Sequence, residues 1–399
     1  MTVFLIILGA LMLVGLVILH ELGHFYAALK SGVEVEEFGI GFPPKAKTLG
    51  RKNGTEYTLN WLPLGGFVRL KGEHDADEGE GSYGSASLKN KVKIMAAGVV
   101  VNAVTAVVLL SIIAAVSLPK VLGDKQFSVA SDTHITKHDV VVAYVVPDSP
   151  AAKGGLDLED KLLSITPTKC ESSNCAQQIK ESGDVRKLTP TLAGQEISVQ
   201  YKDASSNNAV KEFKTTLLTE EQIEESKTVE EQCESSGKKA ADCPQAQSYF
   251  GVVPDDYIEQ RSTWSAPIVG VVFSAQIVKE TFVNFGHVIG GLFKGDTTAA
   301  QDQVTGVLGI GYILGQLAHR GFMSILFLTA VISLSLAIMN VLPIPALDGG
   351  RLFVTLVFRA LKKPLSKDLE EKIHGSGFAL LMVLFLLVTV LDVKRFILH

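Results

Sequence analysis

The stretch from Val3 to Leu29, VFLIILGALMLVGLVILHELGHFYAAL, decides the fold class of this chain. It is apolar except for His20, Glu21 and His24, and it exceeds the roughly 20 residues with which an α-helix crosses a bilayer. A signal peptide is the weaker alternative, because the stretch lacks a basic N-terminal region and a small-x-small cleavage site. We therefore predict a retained transmembrane helix.

The polar cluster in this helix predicts a metal site. His20-Glu21-Leu22-Gly23-His24 is an HExxH motif. Residues four apart lie on one face of a helix, so both imidazoles can bind one metal ion beside Glu21. The motif also arises by chance in soluble helices, but ionisable side chains are costly inside a membrane and indicate function there.

Other apolar runs predict further spans. They extend over Ile94–Leu118, Phe322–Leu347 and Gly375–Leu391. Lys and Arg are concentrated after the first and third spans, which places those segments in the cytosol and the region Pro119–Arg320 outside. We therefore expect a polytopic α-helical membrane protein with four transmembrane helices and both termini extracytoplasmic.

A catalytic zinc needs a third protein ligand and an open coordination position. The best candidate is Asp348, in the segment Asn340–Gly350 with the sequence NVLPIPALDGG. The alternative is a carboxylate that pairs with Arg351 at the end of a span. The predicted depth in the membrane favours the zinc-ligand role of Asp348, because this topology brings Asp348 and the HExxH motif to the same side of the membrane. Prolines and glycines break the helix there, which is tolerable where backbone lines a polar cavity.

The segment Ala266–Phe293 is moderately apolar and is predicted to be helical. A fifth span is one interpretation. We favour a helix that lies along the outer membrane surface, because a fifth crossing would put the two catalytic motifs on opposite membrane faces.

The polar segments also differ from one another. Glu34 to Gly72 alternates apolar and polar residues between turn signals, which predicts a small membrane-associated β-sheet on the cytosolic side. Glu73 to Ser87 is acidic and rich in Gly and Ser, which predicts a mobile linker. The extracytoplasmic region opens with strand-like sequence, and its two most polar segments are expected to be loop insertions.

All four cysteines fall in the region predicted to be extracytoplasmic. An oxidising compartment permits two disulfides, with three possible connectivities. A zinc site of four thiolates is the alternative, but it fits the spacing poorly. We therefore predict disulfides among Cys170, Cys175, Cys233 and Cys243.

The composition agrees with a membrane protein. Of the 399 residues, 47% are hydrophobic and 20% are charged. This mixture indicates apolar spans separated by polar domains. The formal net charge of −5 offers no basic stripe for phosphates, so we exclude a nucleic-acid partner.

Together, these motifs resemble the bacterial site-2 proteases, in the branch that carries a PDZ domain and cleaves anti-sigma factors within the membrane. The resemblance covers nearly the whole chain, with HELGH at His20–His24, LGGFVRLKGE at Leu64–Glu73 and the motif that contains Asp348. Pro147–Ile165 is similar to a PDZ signature, and an unrelated β-rich domain is the alternative. The family's AGPxxN motif appears at Ala97–Asn102 without its proline.

The resemblance implies an intramembrane zinc metalloendopeptidase in the bacterial inner (plasma) membrane. It implies Zn2+ bound by His20, His24 and Asp348, with Glu21 as the catalytic base and Asn340 as a substrate-positioning residue. Expected partners are the lipid bilayer and transmembrane protein substrates, such as anti-sigma factors or remnant signal peptides. We expect these substrates to be already trimmed by another protease, since a PDZ-like domain outside the membrane would restrict their access.

The expected organisation follows the chain. It comprises transmembrane helix 1 with HExxH (1–30), a cytosolic loop with the β-sheet and acidic linker (31–91), transmembrane helix 2 (92–119), an inserted extracytoplasmic PDZ-like domain with cysteine-containing insertions (120–254), a membrane-surface helical segment (255–320), transmembrane helix 3 with LDGG (321–350), a cytosolic loop (351–373), and transmembrane helix 4 with a short external tail (374–399).

Two other function classes remain open. A membrane metal-ion transporter can use His and Asp within the membrane, but it has no need of Glu21 in an HExxH motif. A catalytically silent PDZ scaffold would keep its full function after alanine replaces Glu21. Cleavage and metal-uptake assays on a Glu21 variant separate the three classes.

Overall fold

The computed structural model describes residues 2–169, 176–204, 206, 209–235, 245–293 and 305–396. The chain divides into two compact units. The membrane unit comprises Met1–Val116, Phe127–Val129 and Thr263–His399, and the β unit comprises Ser117–Gln126 and Ala130–Ser262.

The described helices are numbered in chain order. They are α1 (Thr2–Lys30), α2 (Leu88–Val116), α3 (Pro150–Lys153), α4 (Ser182–Thr191), α5 (Glu220–Ser235), α6 (Ala266–Phe293), α7 (Val307–Arg320), α8 (Phe322–Val341), α9 (Asp348–Ala360) and α10 (Lys367–Phe396).

The described strands are numbered in the same way. They are β1 (Val35–Lys52), β2 (Thr55–Leu70), β3 (Leu118–Pro119), β4 (His134–Val145), β5 (Lys161–Pro167), β6 (Gln177–Gln178), β7 (Glu196–Asp203), β8 (Ala209–Thr216) and β9 (Val252–Arg261).

The prediction of four spans is not confirmed. In the described part of the chain, five helices are long and apolar enough to cross a membrane, and the additional one is Ala266–Gly291 within α6. Hydropathy separates this helix poorly from a surface helix, because it is the least apolar of the five. The five helices fit a multi-pass membrane protein.

Small residues bring the helices of the membrane unit close together. A Cβ atom at Gly23 of α1 would lie 2.8 Å from the carbonyl oxygen of Ala97 in α2, and one at Gly270 of α6 would lie 2.2 Å from Ser111 Oγ. Helices in a bilayer gain little from hydrophobic burial against one another, so close backbone approach and dispersion contacts hold them. The HExxH helix is thereby packed against α2.

The third apolar run differs from the predicted helix over 321–350. Helix α8 ends at Val341, because Pro343 cannot continue its hydrogen bonds and Leu342 is extended with ψ at 145°. A new helix, α9, begins at Asp348 and continues to Ala360, where a loop over 351–373 was expected. The expected helix break is present, but it begins before the prolines and places Asp348 in the first turn of α9.

Strands β1 and β2 form the small sheet that the alternation predicted. Phe38, in the first half of β1, pairs with both Val68 and Tyr57 of β2. The first half of β1 is therefore flanked on both sides by β2. The segment from Gly66 to Leu70 pairs on one side with β1, and no second pairing is recorded for it among the described residues.

The acidic segment after this sheet is not the linker that its composition predicted. Tyr83 is only 2% exposed, and the backbone N–H of Asp75 donates to a Glu370 carboxylate oxygen of α10 at 2.9 Å. The fully buried Lys91 ammonium forms an ion pair with Asp75 and lies 5.3 Å from the centre of the Tyr83 ring. Composition misled here because these tertiary partners satisfy the charged groups.

The β unit is built on a seven-stranded sheet in the order β3-β9-β4-β5-β7-β8, with β6 paired to β5. Buried Val140, Leu162, Ile165, Ile197 and Val199 form the centre of its core. Each such side chain contributes about 1.5–3 kcal/mol when it leaves water. The β-rich fold agrees with the prediction, whereas its PDZ character stays a prediction.

Part of the cysteine prediction falls within the described residues. Cys233, in α5, is disulfide-bonded. Cys170, Cys175 and Cys243 lie outside the described residues, so the connectivity stays a prediction.

Candidate metal centre

Three potential ligand atoms meet where α1 and the start of α9 come together. His24 Nε2 lies 3.1 Å from His20 Nε2 and 3.1 Å from Asp348 Oδ2, and His20 Nε2 lies 3.2 Å from Asp348 Oδ2. Among the described residues this is the group of His, Cys, Asp and Glu whose donor atoms converge closely enough to hold a metal ion. The sequence-predicted ligands are therefore brought together.

The spacing of these atoms fits a tetrahedral zinc ion. Ligand atoms about 2.0–2.1 Å from such an ion are roughly 3.3 Å apart. The observed separations of 3.1–3.2 Å are close to this value, and two imidazoles with one carboxylate leave the fourth position open. Both histidines are buried, and Asp348 is only partly exposed, as a site shielded from bulk water requires.

His24 is oriented by the backbone of α2. Its Nδ1–H donates to the carbonyl oxygen of Ile94 at 2.8 Å. This bond fixes the tautomer with a lone pair on Nε2, which is the nitrogen that faces His20 and Asp348.

His20 is oriented by a polar residue inside α2. Asn102 is 1% exposed, and its Nδ2 lies 3.2 Å from His20 Nδ1, while no partner is recorded for its Oδ1. When His20 Nε2 binds a metal ion, its Nδ1 carries the proton and needs an acceptor. A flip of the Asn102 side-chain amide places the amide oxygen there to accept it. Asn102 can therefore hold His20 in its ligand orientation.

Helix α2 approaches the two histidines through a glycine. A Cβ atom at Gly98 would lie 2.4 Å from His24 Nε2 and 2.5 Å from His20 Cε1. No side chain fits between α2 and the donor atoms. Gly98 belongs to the motif Ala97–Asn102, so this motif supplies both the close approach and the orienting amide.

Asp348 is delivered by a folded loop between α8 and α9. The loop carbonyls press on two glycines that follow Asp348: a Cβ at Gly349 would lie 2.4 Å from the Val341 oxygen, and one at Gly350 would lie 2.0 Å from the Ile344 oxygen. Only glycine permits this approach. The Gly349-Gly350 pair therefore lets the loop fold back and direct Asp348 at the histidines.

Glu21 lies beside the donor atoms in an open cleft of about 580 Å³. The backbone of Val68 in β2 hydrogen-bonds to it, and a Cβ at Gly66 would be 3.5 Å from Glu21 Cγ. The cleft is lined by all of the sequence-predicted site residues of the membrane unit except His24, namely His20, Glu21, Asn340 and Asp348.

Arg351 does not pair with Asp348, the alternative considered for that carboxylate. Its Nη2 instead donates to Glu73 Oε2 at 3.3 Å, and Glu73 Oε1 accepts the backbone N–H of Leu70 at 3.0 Å. This chain of bonds links the end of β2 to α9 beside the cleft.

Sequence reasoning noted the motif Ala97–Asn102 without assigning a role to Gly98 or Asn102, and it missed the Ile94 carbonyl. Asn102, Gly98 and the Ile94 carbonyl all lie in α2, far from the HExxH motif along the chain. A buried amide in an otherwise apolar span was the available signal for Asn102, since polar groups there indicate function. The Ile94 carbonyl left no signal in the sequence.

Comparison with known proteins identifies the family of this chain. The sequence model of peptidase family M50 matches residues 8–384. A relative from Clostridium perfringens is 29% identical over 389 residues, covering 97% of this chain and 98% of the relative. Relatives from Clostridium acetobutylicum and Fusobacterium nucleatum are 26% and 28% identical, each covering 98% of the relative. All three are named "putative zinc metalloprotease".

The chain belongs to peptidase family M50. It is a zinc metalloprotease with several helices able to span a membrane, and the resemblance to site-2 proteases is confirmed.

Proposed function

We propose that the protein is an intramembrane zinc metalloendopeptidase that hydrolyses peptide bonds within or near transmembrane segments of membrane proteins. One observation carries this proposal: the Nε2 atoms of His20 and His24 and the Asp348 carboxylate lie within 3.2 Å of one another beside Glu21, on a helix long and apolar enough to span a bilayer. His20, His24 and Asp348 are the zinc ligands in this proposal, and Glu21 is the catalytic base.

The mechanism divides the chemistry between the ion and the protein. When bound, zinc supplies Lewis acidity, which makes a nucleophilic water available near neutral pH and polarises the scissile carbonyl. Glu21 accepts a proton from the attacking water and passes it to the leaving amine as the C–N bond breaks. His24 and His20 stay neutral and oriented through Ile94 and Asn102, so neither is the proton acceptor.

The substrate is extended before it is cut, because the carbonyls of a transmembrane helix are hydrogen-bonded internally and shielded from attack. The Gly66–Arg69 segment of β2 lines the cleft, and among the described residues β1 is its one strand partner. It can pair with an unwound substrate by strand addition, which would place a substrate carbonyl near Glu21. Asn340, across the cleft, positions the substrate through its amide. Proline at Val68 would remove the backbone N–H that bonds to Glu21 on the cleft side of β2, and unchanged cleavage by that variant would argue against strand pairing.

The proposed setting is the bacterial inner membrane with both termini outside. The distribution of Lys and Arg supports this orientation. The disulfide at Cys233 supports an oxidising compartment for the β unit. Free thiols in freshly isolated, unreduced membranes would contradict it.

The β unit acts in this proposal as a PDZ-like filter that favours substrates already trimmed by another protease, such as anti-sigma factors or remnant signal peptides. Its support is the β-rich fold and the signature at Pro147–Ile165. Replacing Ala130–Ser262 with a short linker should permit cleavage of untrimmed substrates. If that variant still rejects only the untrimmed form, the β unit is not the filter.

Glu21→Gln separates chemistry from metal binding. The amide keeps the shape of Glu21 but cannot accept the proton, so zinc should stay bound while cleavage of a transmembrane reporter falls at least about 100-fold. The measurement is reporter cleavage together with zinc content of the purified protein. Glu34→Gln, an exposed residue outside the cleft, is the matched control. Near-normal cleavage by Glu21→Gln would refute the proposed function.

A further inference from the structure

The loop that delivers Asp348 contains an unfavourable backbone conformation. Ala346 has φ at 80°, a region that residues with a side chain rarely adopt. Such a conformation persists only where its surroundings hold it in place. Ala346 lies two residues before Asp348, so the contacts that hold Ala346 also determine where the carboxylate points.

The beginning of α10 supplies these contacts. The backbone N–H of Ala346 donates to His374 Nδ1 at 3.3 Å. One turn further, Gly377 lies so close to Pro345 that a Cβ atom there would be 2.4 Å from the Pro345 carbonyl oxygen. By contrast, a Cβ at Gly375 of the same helix would meet nothing within 4 Å. The contact therefore involves one face of α10, and it reaches the loop backbone itself.

Both residues act at a distance from the donor atoms. His374 and Gly377 contact Pro345 and Ala346, and neither lines the cleft that holds Glu21 and Asp348. Their influence on the metal centre passes through the loop.

We propose that His374 and Gly377 are positioning residues for Asp348: α10 holds the Pro345–Ala346 segment in the conformation that brings the carboxylate to the two imidazoles. This inference rests on the proposed function, which makes Asp348 a zinc ligand. Outer contacts that orient a metal ligand are typically worth about 10–100-fold in metal affinity.

Three substitutions test the two contacts separately. His374→Leu removes the acceptor and leaves the Ala346 N–H without its partner, whereas His374→Asn places an amide oxygen near the position of Nδ1. Gly377→Ala pushes a methyl group into the Pro345 backbone. Gly375→Ala adds the same methyl group to the same helix where space is open, so it controls for any general effect on α10.

The experiment measures zinc affinity by chelator competition on the full chain in detergent, with the absorption spectrum of the Co2+-substituted protein as a second readout. His374→Leu and Gly377→Ala should bind zinc roughly 10–100-fold more weakly and alter the Co2+ spectrum. Gly375→Ala should match the unmodified chain, and His374→Asn should recover most of the affinity. A purely structural role for α10 would change stability but not the affinity of the folded protein.

Unchanged zinc affinity in folded His374→Leu and Gly377→Ala would overturn the inference. If Gly377→Ala does not fold, the comparison of His374→Leu with His374→Asn decides alone. Asp348→Ala, measured alongside, distinguishes failure of this inference from failure of the proposed function. If that variant binds zinc as tightly as the unmodified chain, Asp348 is not a zinc ligand and the proposed function is refuted. Loss of zinc in Asp348→Ala beside unchanged affinity in the α10 variants would reject only the positioning role.

Discussion

The two halves of the proposed metal centre are built in different ways. His20 and His24 come from one uninterrupted helix, in which their spacing follows from helix geometry. Asp348 comes from the first turn of a helix that follows an irregular loop, and its direction depends on glycines and on a distant helix. The spacing of the two imidazoles along α1 is specified locally and α2 orients their rings, whereas the position of Asp348 itself is specified by tertiary contacts. Substitutions far from the site should therefore affect the loop half more strongly.

The largest effect is expected from removing a donor of the helical half. His24→Ala should lose zinc and lower cleavage by more than the roughly 10–100-fold that an outer contact contributes. The measurement is zinc content and reporter cleavage. Leu19→Ala, an exposed position on the same helix, should behave like the unmodified chain. Retention of zinc by His24→Ala would exclude this histidine as a ligand.

An intermediate effect is expected from displacing the loop half without removing any donor. In Gly350→Ala, the new methyl group would lie 2.0 Å from the Ile344 carbonyl oxygen, so the loop must shift. Zinc affinity should fall roughly 10–100-fold, as for loss of an orienting contact. Gly15→Ala, where a Cβ meets nothing within 4 Å, is the control in the helical half. Equal zinc affinities in both variants would show that the loop half is no more sensitive to an added methyl group than the helical half.

The smallest effect is expected from the ion pair that joins the sheet to the loop half. Glu73 and Arg351 are each about one-third exposed, so their pairing contributes on the order of 0–1 kcal/mol. Glu73→Gln should retain zinc and lower kcat/KM no more than about five-fold. The measurement is kcat/KM of Glu73→Gln beside that of Glu78→Gln, which changes an exposed residue and serves as the control. Zinc loss in Glu73→Gln would show that the pair helps to hold Asp348.

The contrast also explains how much the sequence could predict. His20, Glu21 and His24 follow from a local motif in an apolar helix, and the two β strands after α1 follow from alternation. A helix break after Asn340 was predicted from the prolines and glycines, but its position at Val341 was not, because the apolar run continues through Leu347 while the helix does not. Asp348 could be nominated from its motif, but its approach to the histidines depends on how the loop folds back.

The other differences share one physical cause, which is that tertiary partners leave little trace in a single sequence. Asp75 lies in the Glu73–Ser87 segment, which reads as an acidic linker, yet its carboxylate pairs with Lys91 of α2 and its backbone N–H donates to Glu370 of α10. Asn102 orients His20 from another helix. Hydropathy likewise assigns α6 ambiguously, since length and apolarity alone do not state where a helix lies.

X-ray absorption at the zinc edge of the purified, full-length protein tests the central claim most directly. The account predicts a first shell of nitrogen and oxygen atoms at about 2.0–2.1 Å with two imidazoles and no sulfur. It also predicts that Asp348→Ala, purified in the same way, loses the bound zinc that gives this first shell. A first shell of sulfur atoms at about 2.3 Å, or a spectrum unchanged by Asp348→Ala, would contradict the account.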